Sequence, residues 1–391
     1  MGSDIRYYIP GLLLFYFNLD VVIWSAVNLS LAPILYAIQV VALLYFANKK
    51  KSTILDNKLL LFLSVITLVV GLVHGFTSPT YFYKVFLYLL IFFMIRSSSS
   101  DDIQKSFYRV TFFFAALSLV FYVSVGILGM QYLLPLSIEG GAGASYNTNF
   151  LYSQLSGWAI RNCGIFREPG VFQIYLNIAL LFYYNQNKNA LITKISAVLI
   201  IAIITTLSSA GITVMMAIVL MQYLLLRHSS VKSTIIFVSF AIIAGYMIMS
   251  SFDEIFYKLQ LGVEGSGSAF ARYYSLIIPM KMWWDYPIFG CGASQFNNLI
   301  LHYRISTGET LNPYLVTNCF TVNFATSGLL VGLFYLGGVI SGTMKLCNKT
   351  LFPWAAAVLV LVMFSCEGIM YSGIFNLLLV GGLCLNKKSI V

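Results

Sequence analysis

Residues 161–172 read Arg-Asn-Cys-Gly-Ile-Phe-Arg-Glu-Pro-Gly-Val-Phe, which sets Arg161, Arg167 and Glu168 within eight positions of one another. Only 9% of the chain is charged, so a cluster this dense calls for a cause. Guanidinium groups are permanently charged, planar donors that match phosphate oxygens. A carboxylate beside them can orient an arginine or accept a proton from an attacking hydroxyl. Simpler readings exist for each residue alone. Pro169 suits the first position of a helix, Glu168 would then face the positive end of that helix dipole, and either arginine can meet lipid head groups.

The elements that must hold this cluster are membrane helices. Hydrophobic residues make up 59% of the 391 residues and the mean hydropathy is +0.86. Those values exclude a soluble enzyme, a nucleic-acid binder or a secreted disulfide scaffold. A span needs roughly 20 apolar residues. On that basis the pattern predicts twelve, near 7–26, 29–47, 59–76, 81–97, 107–128, 169–187, 191–209, 211–227, 233–250, 316–343, 353–370 and 371–387. The expected fold class is an all-α polytopic membrane protein forming a single integral membrane domain over 1–391.

Cation placement sets the orientation. With the N-terminus cytoplasmic, 16 of the 23 lysines and arginines fall on one side, nearly all in short connections. The other seven are Lys84, Arg161, Arg167, Lys258, Arg272, Lys281 and Arg304. Both termini are therefore expected in the cytoplasm. The net charge of +10 reads as a topology signal, with no nucleic acid as partner. The six cysteines show no metal spacing. Cys163 and Cys291 both fall on the outer side, which leaves a disulfide between them open.

Two outer segments are long, about 129–168 and about 251–315, and long ordered loops tend to carry function. The first opens with a flexible stretch at 138–145 and closes in the arginine cluster. The second contains a predicted helix over 268–284, rich in Trp and Tyr and suited to the membrane interface. Such a helix serves either as the lid of a site for a lipid-tailed substrate or as a purely structural interfacial element. It brings a third arginine, Arg272, toward the same face.

Four motifs in order resemble those of the O-antigen polymerase and ligase superfamily of bacterial envelope polysaccharide assembly. They are Arg161-x-x-Gly164-x-Phe166-x-Glu168-Pro169; Leu207-Ser208-Ser209-Ala210-Gly211; Arg272 followed by Pro287-x-x-Gly290-x-Gly292-x-x-x-Phe296; and Asn318 ten residues before Gly328. The span count and the two loops match as well. Two departures favour polymerase over ligase. Thr317 stands where ligases usually carry a histidine, and Ser209 where they often carry an arginine.

The resemblance implies glycosyl transfer at the periplasmic face of the bacterial inner membrane, by an enzyme like the membrane glycosyltransferases of C type. Donor and acceptor would be oligosaccharide repeat units linked to undecaprenyl pyrophosphate, with membrane lipids around them. It allows a chain-length regulator protein as a partner and implies no nucleotide, metal or other cofactor. Arg161, Arg272 and Glu168 would be catalytic. Arg167, Gly164, Tyr273, Tyr274, Gly290, Gly292, His302 and Asn318 would contact substrate. The competing readings are a ligase that transfers glycan to lipid A core and, from a different class, a flippase for the same lipid-linked unit. A flippase is expected to place ionisable groups near the bilayer midplane, whereas Asp20, Lys84 and Glu367 fall near predicted span ends.

Overall fold

Residues 5–29, 31–49, 55, 57–140, 144–157, 160–189, 191–226, 267–303, 316–350 and 352–385 are described in a computed structural model of the chain. The expected span at 233–250, and the parts of the second loop at 251–266 and 304–315, lie outside the described residues.

The architecture is mainly helical. Among the described residues, four helices are long and apolar enough to cross a membrane: Ala32–Lys49, Thr80–Ser97, Ser100–Ile127 and Cys319–Leu346. Shorter apolar helices cover Lys58–Val73, Lys194–Thr205, Ser209–Leu225, Pro353–Cys366 and Gly373–Cys384. In chain order the helices are α1 (Ile9–Phe15), α2 (Val22–Ser25), α3 (Ala32–Lys49), α4 (Lys58–Val73), α5 (Thr80–Ser97) and α6 (Ser100–Phe121, prolonged by a π-turn over Tyr122–Ile127). They continue as α7 (Pro169–Gln186), α8 (Lys194–Thr205), α9 (Ser209–Leu225), α10 (Gly267–Asp285), α11 (Phe296–Leu299), α12 (Cys319–Leu346), α13 (Pro353–Cys366) and α14 (Gly373–Cys384).

The first expected span, 7–26, is not one helix. The Asn18 side-chain amide donates to the carbonyls of Leu14 and Phe15, and its Oδ1 accepts from the Asp20 amide. Those bonds substitute for helix continuation and end α1, as short polar side chains do when they compete for the backbone. Asp20 is thereby buried between two short helices.

Helix α7 is apolar nearly all round and buried along almost its whole length, which makes it the centre of the bundle. Elsewhere in the bundle, α12 and α14 approach each other through small residues. A Cβ on Gly342 would collide with the Leu378 carbonyl, and one on Gly382 with the Gly338 carbonyl. Close approach of this kind supplies packing where lipid removes the hydrophobic driving force between helices.

The first long loop departs from an all-helical expectation. It carries an antiparallel sheet of β1 (Leu136–Glu139), β2 (Ser145–Thr148) and β3 (Ser153–Leu155), with Ile138 opposite Tyr146 and Thr148 opposite Ser153. Ile138, Tyr146, Thr148 and Ser153 are all buried. The stretch expected to be flexible at 138–145 is therefore partly strand at both its margins, and 141–143 between them lies outside the described residues.

Candidate active site

The sequence from Arg161 to Pro169 is held by its inward-facing residues. Phe166 is fully buried and stacks on Tyr175, with ring centroids 4.4 Å apart, and on Phe172 at 5.6 Å. Asn162 donates to Ser118 Oγ and Thr205 Oγ1 and accepts from the Gly164 amide. Val21 pairs with Phe166 as an isolated bridge. Gly164 has φ +56°, a left-handed turn that a side chain disfavours. These anchors fix the backbone and leave the two arginines and Glu168 to the site.

Arg161 Nε donates to the Thr206 carbonyl at 2.9 Å and Nη2 to the Leu207 carbonyl at 3.0 Å. The second motif is thus the direct support of the first. Ser208 caps α9 by accepting from the Gly211 amide, and Gly211 lets α9 approach Gln173 of α7. Arg167 Nη2 donates to the Gly368 carbonyl at 2.9 Å, and its Nε is buried without a hydrogen-bond partner. Glu168 is the N-cap residue of α7, is exposed, and makes no side-chain cap bond. Its position at the positive helix end agrees with the dipole reading, and its carboxylate stays accessible.

Arg272 of α10 reaches the same place. Its Nη2 lies 3.9 Å from Glu367 Oε1, beyond hydrogen-bond distance, with side-chain exposures of 33% and 8%. Glu367 follows the last residue of α13, in the linker to α14. Its Oε1 packs against Gly170 at the start of α7, where no Cβ would fit. Burial raises the Glu367 carboxyl above the usual carboxylate range; the like charge of Glu168 adds to this, and Arg272, Arg167 and Arg161 oppose it. Arg161, Arg167, Arg272, Glu168 and Glu367, drawn from three separate stretches of chain, therefore share one electrostatic neighbourhood, which Asp20 joins through Arg167.

Several residues expected to touch substrate are occupied by protein instead. The close approach that Gly164 permits is to the Phe172 ring. Gly290 packs on the backbone at Thr326, and Gly292 on the His74 ring, whose Nε2 lies 3.2 Å from the Phe289 carbonyl oxygen. The Pro287–Gly292 stretch docks on a break in α12. There Gly328 has φ 79° and ψ −176°, and the Leu329 amide donates to the Pro287 carbonyl. Asn318 spends its Oδ1 on the amides of Phe320 and Thr321 as the cap of α12. Tyr274 is buried among Ile278 and Met282, whereas Tyr273 is exposed. His302 is exposed at the end of a short 3-10 turn.

Cys163 and Cys291 are both free and buried, so no disulfide joins them. Burial raises the Cys163 thiol to about 12 and the Cys291 thiol to about 11, which keeps both protonated at neutral pH.

Glu367 and Asp20 are the members that motif reading passed over. Asp20 accepts from the Tyr175 hydroxyl at 2.9 Å and lies within the field of Arg167. The available signal was a carboxylate inside an otherwise apolar run, which is costly in lipid and usually retained for function. No family model, curated protein or solved structure matches the chain.

Proposed function

We propose that the chain is a membrane glycosyltransferase of the O-antigen polymerase type, joining oligosaccharide repeat units carried on undecaprenyl pyrophosphate at the periplasmic face of the inner membrane. The observation that carries this reading is the meeting of Arg161, Arg167 and Arg272 at one end of the bundle, where no described carboxylate lies within hydrogen-bond distance of a guanidinium. Guanidinium groups held there without direct carboxylate hydrogen bonds suit a pyrophosphate leaving group, whose negative charge grows as the sugar departs. Among the described residues, the carboxylate oxygen nearest Arg272 is 3.9 Å away, beyond hydrogen-bond distance.

In this mechanism the terminal hydroxyl of the acceptor attacks the anomeric carbon of the donor. The bond from that carbon to the pyrophosphate oxygen breaks, and the bonding pair leaves with undecaprenyl pyrophosphate. The arginines stabilise the developing charge. The amphipathic helix α10, with Tyr273, Leu276 and Trp284 exposed, lies beside the lipid tail. A carboxylate receives the hydroxyl proton.

The test is the lipopolysaccharide pattern of a strain carrying Arg161→Ala or Arg272→Ala. Loss of polymerase leaves core plus a single repeat unit, and loss of ligase leaves bare core. Long chains of normal distribution in both variants would refute the site.

One observation favours a transporter as the second reading: Lys84 and Asp20 are buried in the interior. Lys84 is already engaged, with Nζ 3.0 Å from Asn323 Oδ1 and lying over the Tyr335 and Tyr371 rings. Polymer formation by purified protein in detergent, without a sealed compartment, would exclude transport as the activity.

A further inference from the structure

Two carboxylates of the site, Glu168 and Glu367, lie in opposite environments. Glu168 is exposed and lies at a helix N-terminus. Glu367 is 6% exposed, makes no hydrogen bond through its carboxylate to any described residue, and has Arg272 as its nearest cation at 3.9 Å.

The backbone around Glu367 fixes where that carboxylate points. The Glu367 carbonyl accepts from the Cys319 thiol at the start of α12, and Cys319 Sγ in turn accepts from the Ile369 amide. The next carbonyl, of Gly368, accepts from Arg167. One dipeptide therefore joins the first loop, the start of α12 and, through its side chain, Arg272 of α10 and Gly170 of α7. A side chain kept only for structure at such a junction would be expected to spend its oxygens on hydrogen bonds, since a buried unpaired carboxylate is destabilising. This one accepts no hydrogen bond from a described residue and meets Arg272 at 3.9 Å, among three arginines.

We propose that Glu367, rather than Glu168, is the proton acceptor of the site. The inference rests on the glycosyl-transfer reading above. As the acceptor oxygen bonds to the anomeric carbon, its O–H bond breaks and the proton passes to the Glu367 carboxylate. The electron pair of the cleaved carbon–oxygen bond leaves on the pyrophosphate. The proton is released to water once product departs. Burial and the neighbouring Glu168 charge raise the basicity of Glu367 toward the range in which a general base is effective.

The experiment uses the full-length protein in lipid nanodiscs with a synthetic undecaprenyl-pyrophosphate-linked repeat unit. Initial transfer rates are followed from pH 5 to 9, with substrate binding and thermal stability measured on the same samples. Glu367→Gln keeps the shape and removes the base. It is expected to slow transfer about 100-fold or more, to leave binding within about threefold, and to abolish the acid limb of the wild-type profile. Glu168→Gln is expected to retain an acid limb, moved to lower pH because one of the charges that raise Glu367 is gone.

Thermal stability separates this role from a structural one. A carboxylate whose pKa is raised on folding contributes stability below its unfolded pKa, and that contribution is lost as pH rises through the folded value. Above neutrality Glu367→Gln should therefore melt at or above the wild-type temperature while being inactive. Wild-type rate and acid limb in Glu367→Gln would overturn the assignment, as would loss of the acid limb in Glu168→Gln alone. A lower melting temperature matching the lost rate would overturn it in favour of a structural role. A wild-type protein that forms no glycosidic product would overturn the transfer reading itself.

Discussion

The two ends of the bundle handle charge differently. At one end Lys349 Nζ meets Asp101 Oδ2 at 2.7 Å, and Gln186 donates to the same carboxylate through Oδ1. Asn185 and Gln104 close the surrounding network on the Leu346 carbonyl. At the other end the nearest contact between a guanidinium and a carboxylate among the described residues is the 3.9 Å separation of Arg272 and Glu367. Arg161 and Arg167 there bond to backbone carbonyls, which orient a guanidinium without neutralising it. In the first network the lysine is neutralised by direct contact with a carboxylate. The second keeps cationic charge in place and unspent, which is the arrangement an anionic ligand requires.

That contrast can be broken by substitution. Arg161→Ala and Arg272→Ala should each lower the transfer rate by roughly 10²–10³, the range expected when a donor to developing charge is removed, with chain folding intact by circular dichroism. Retained rate in both would remove the distinction between the ends. Gly328→Ala tests the frame. Its φ of 79° with ψ near 180° is accessible to glycine almost alone, and an added Cβ would strike the Ile288 carbonyl. Backbone strain costs about 1–3 kcal/mol, so a lower melting temperature and weakened docking of the Pro287–Gly292 stretch are expected. An unchanged melting temperature would show that this break is not needed.

The acid side of the pH profile gives a third check. Glu367 must be unprotonated to accept a proton, and its pKa is raised by burial and by Glu168. Transfer should therefore rise with pH through a midpoint well above the ordinary carboxylate value of about 4.3. A profile flat down to about pH 5 would contradict the role given to that residue. The smallest effect belongs to the opposite end. Lys349→Ala breaks a partly exposed pair worth roughly 0.2–1 kcal/mol. It should leave transfer rates unchanged, and a large loss of activity would erase the comparison.

Much of the frame is legible in the sequence. The Arg161–Pro169 motif, the helix over 268–284 and most apolar runs correspond to elements seen in the fold, because each is marked by local signals: a proline at N1, a capping serine or asparagine, a period of apolar residues. Local signals failed where a side chain redirected the backbone, as Asn18 does in ending α1. They also failed for the sheet at 136–155, whose short strands depend on pairing with one another. The glycines of the third motif were read as ligand contacts. In the fold they answer to α12 and His74, partners remote in sequence. Glu367 carries no motif, and its importance emerges only when Arg272 and Gly170 are brought beside it.

The most direct test of the arginine site is reconstitution. Purified protein in nanodiscs, given only lipid-linked repeat units, should build a ladder of longer glycans and release undecaprenyl pyrophosphate one for one with each new linkage. Both products should disappear in the Arg161→Ala, Arg272→Ala double variant. A ladder undiminished in that variant, or no glycosidic product from the wild type, would contradict the account.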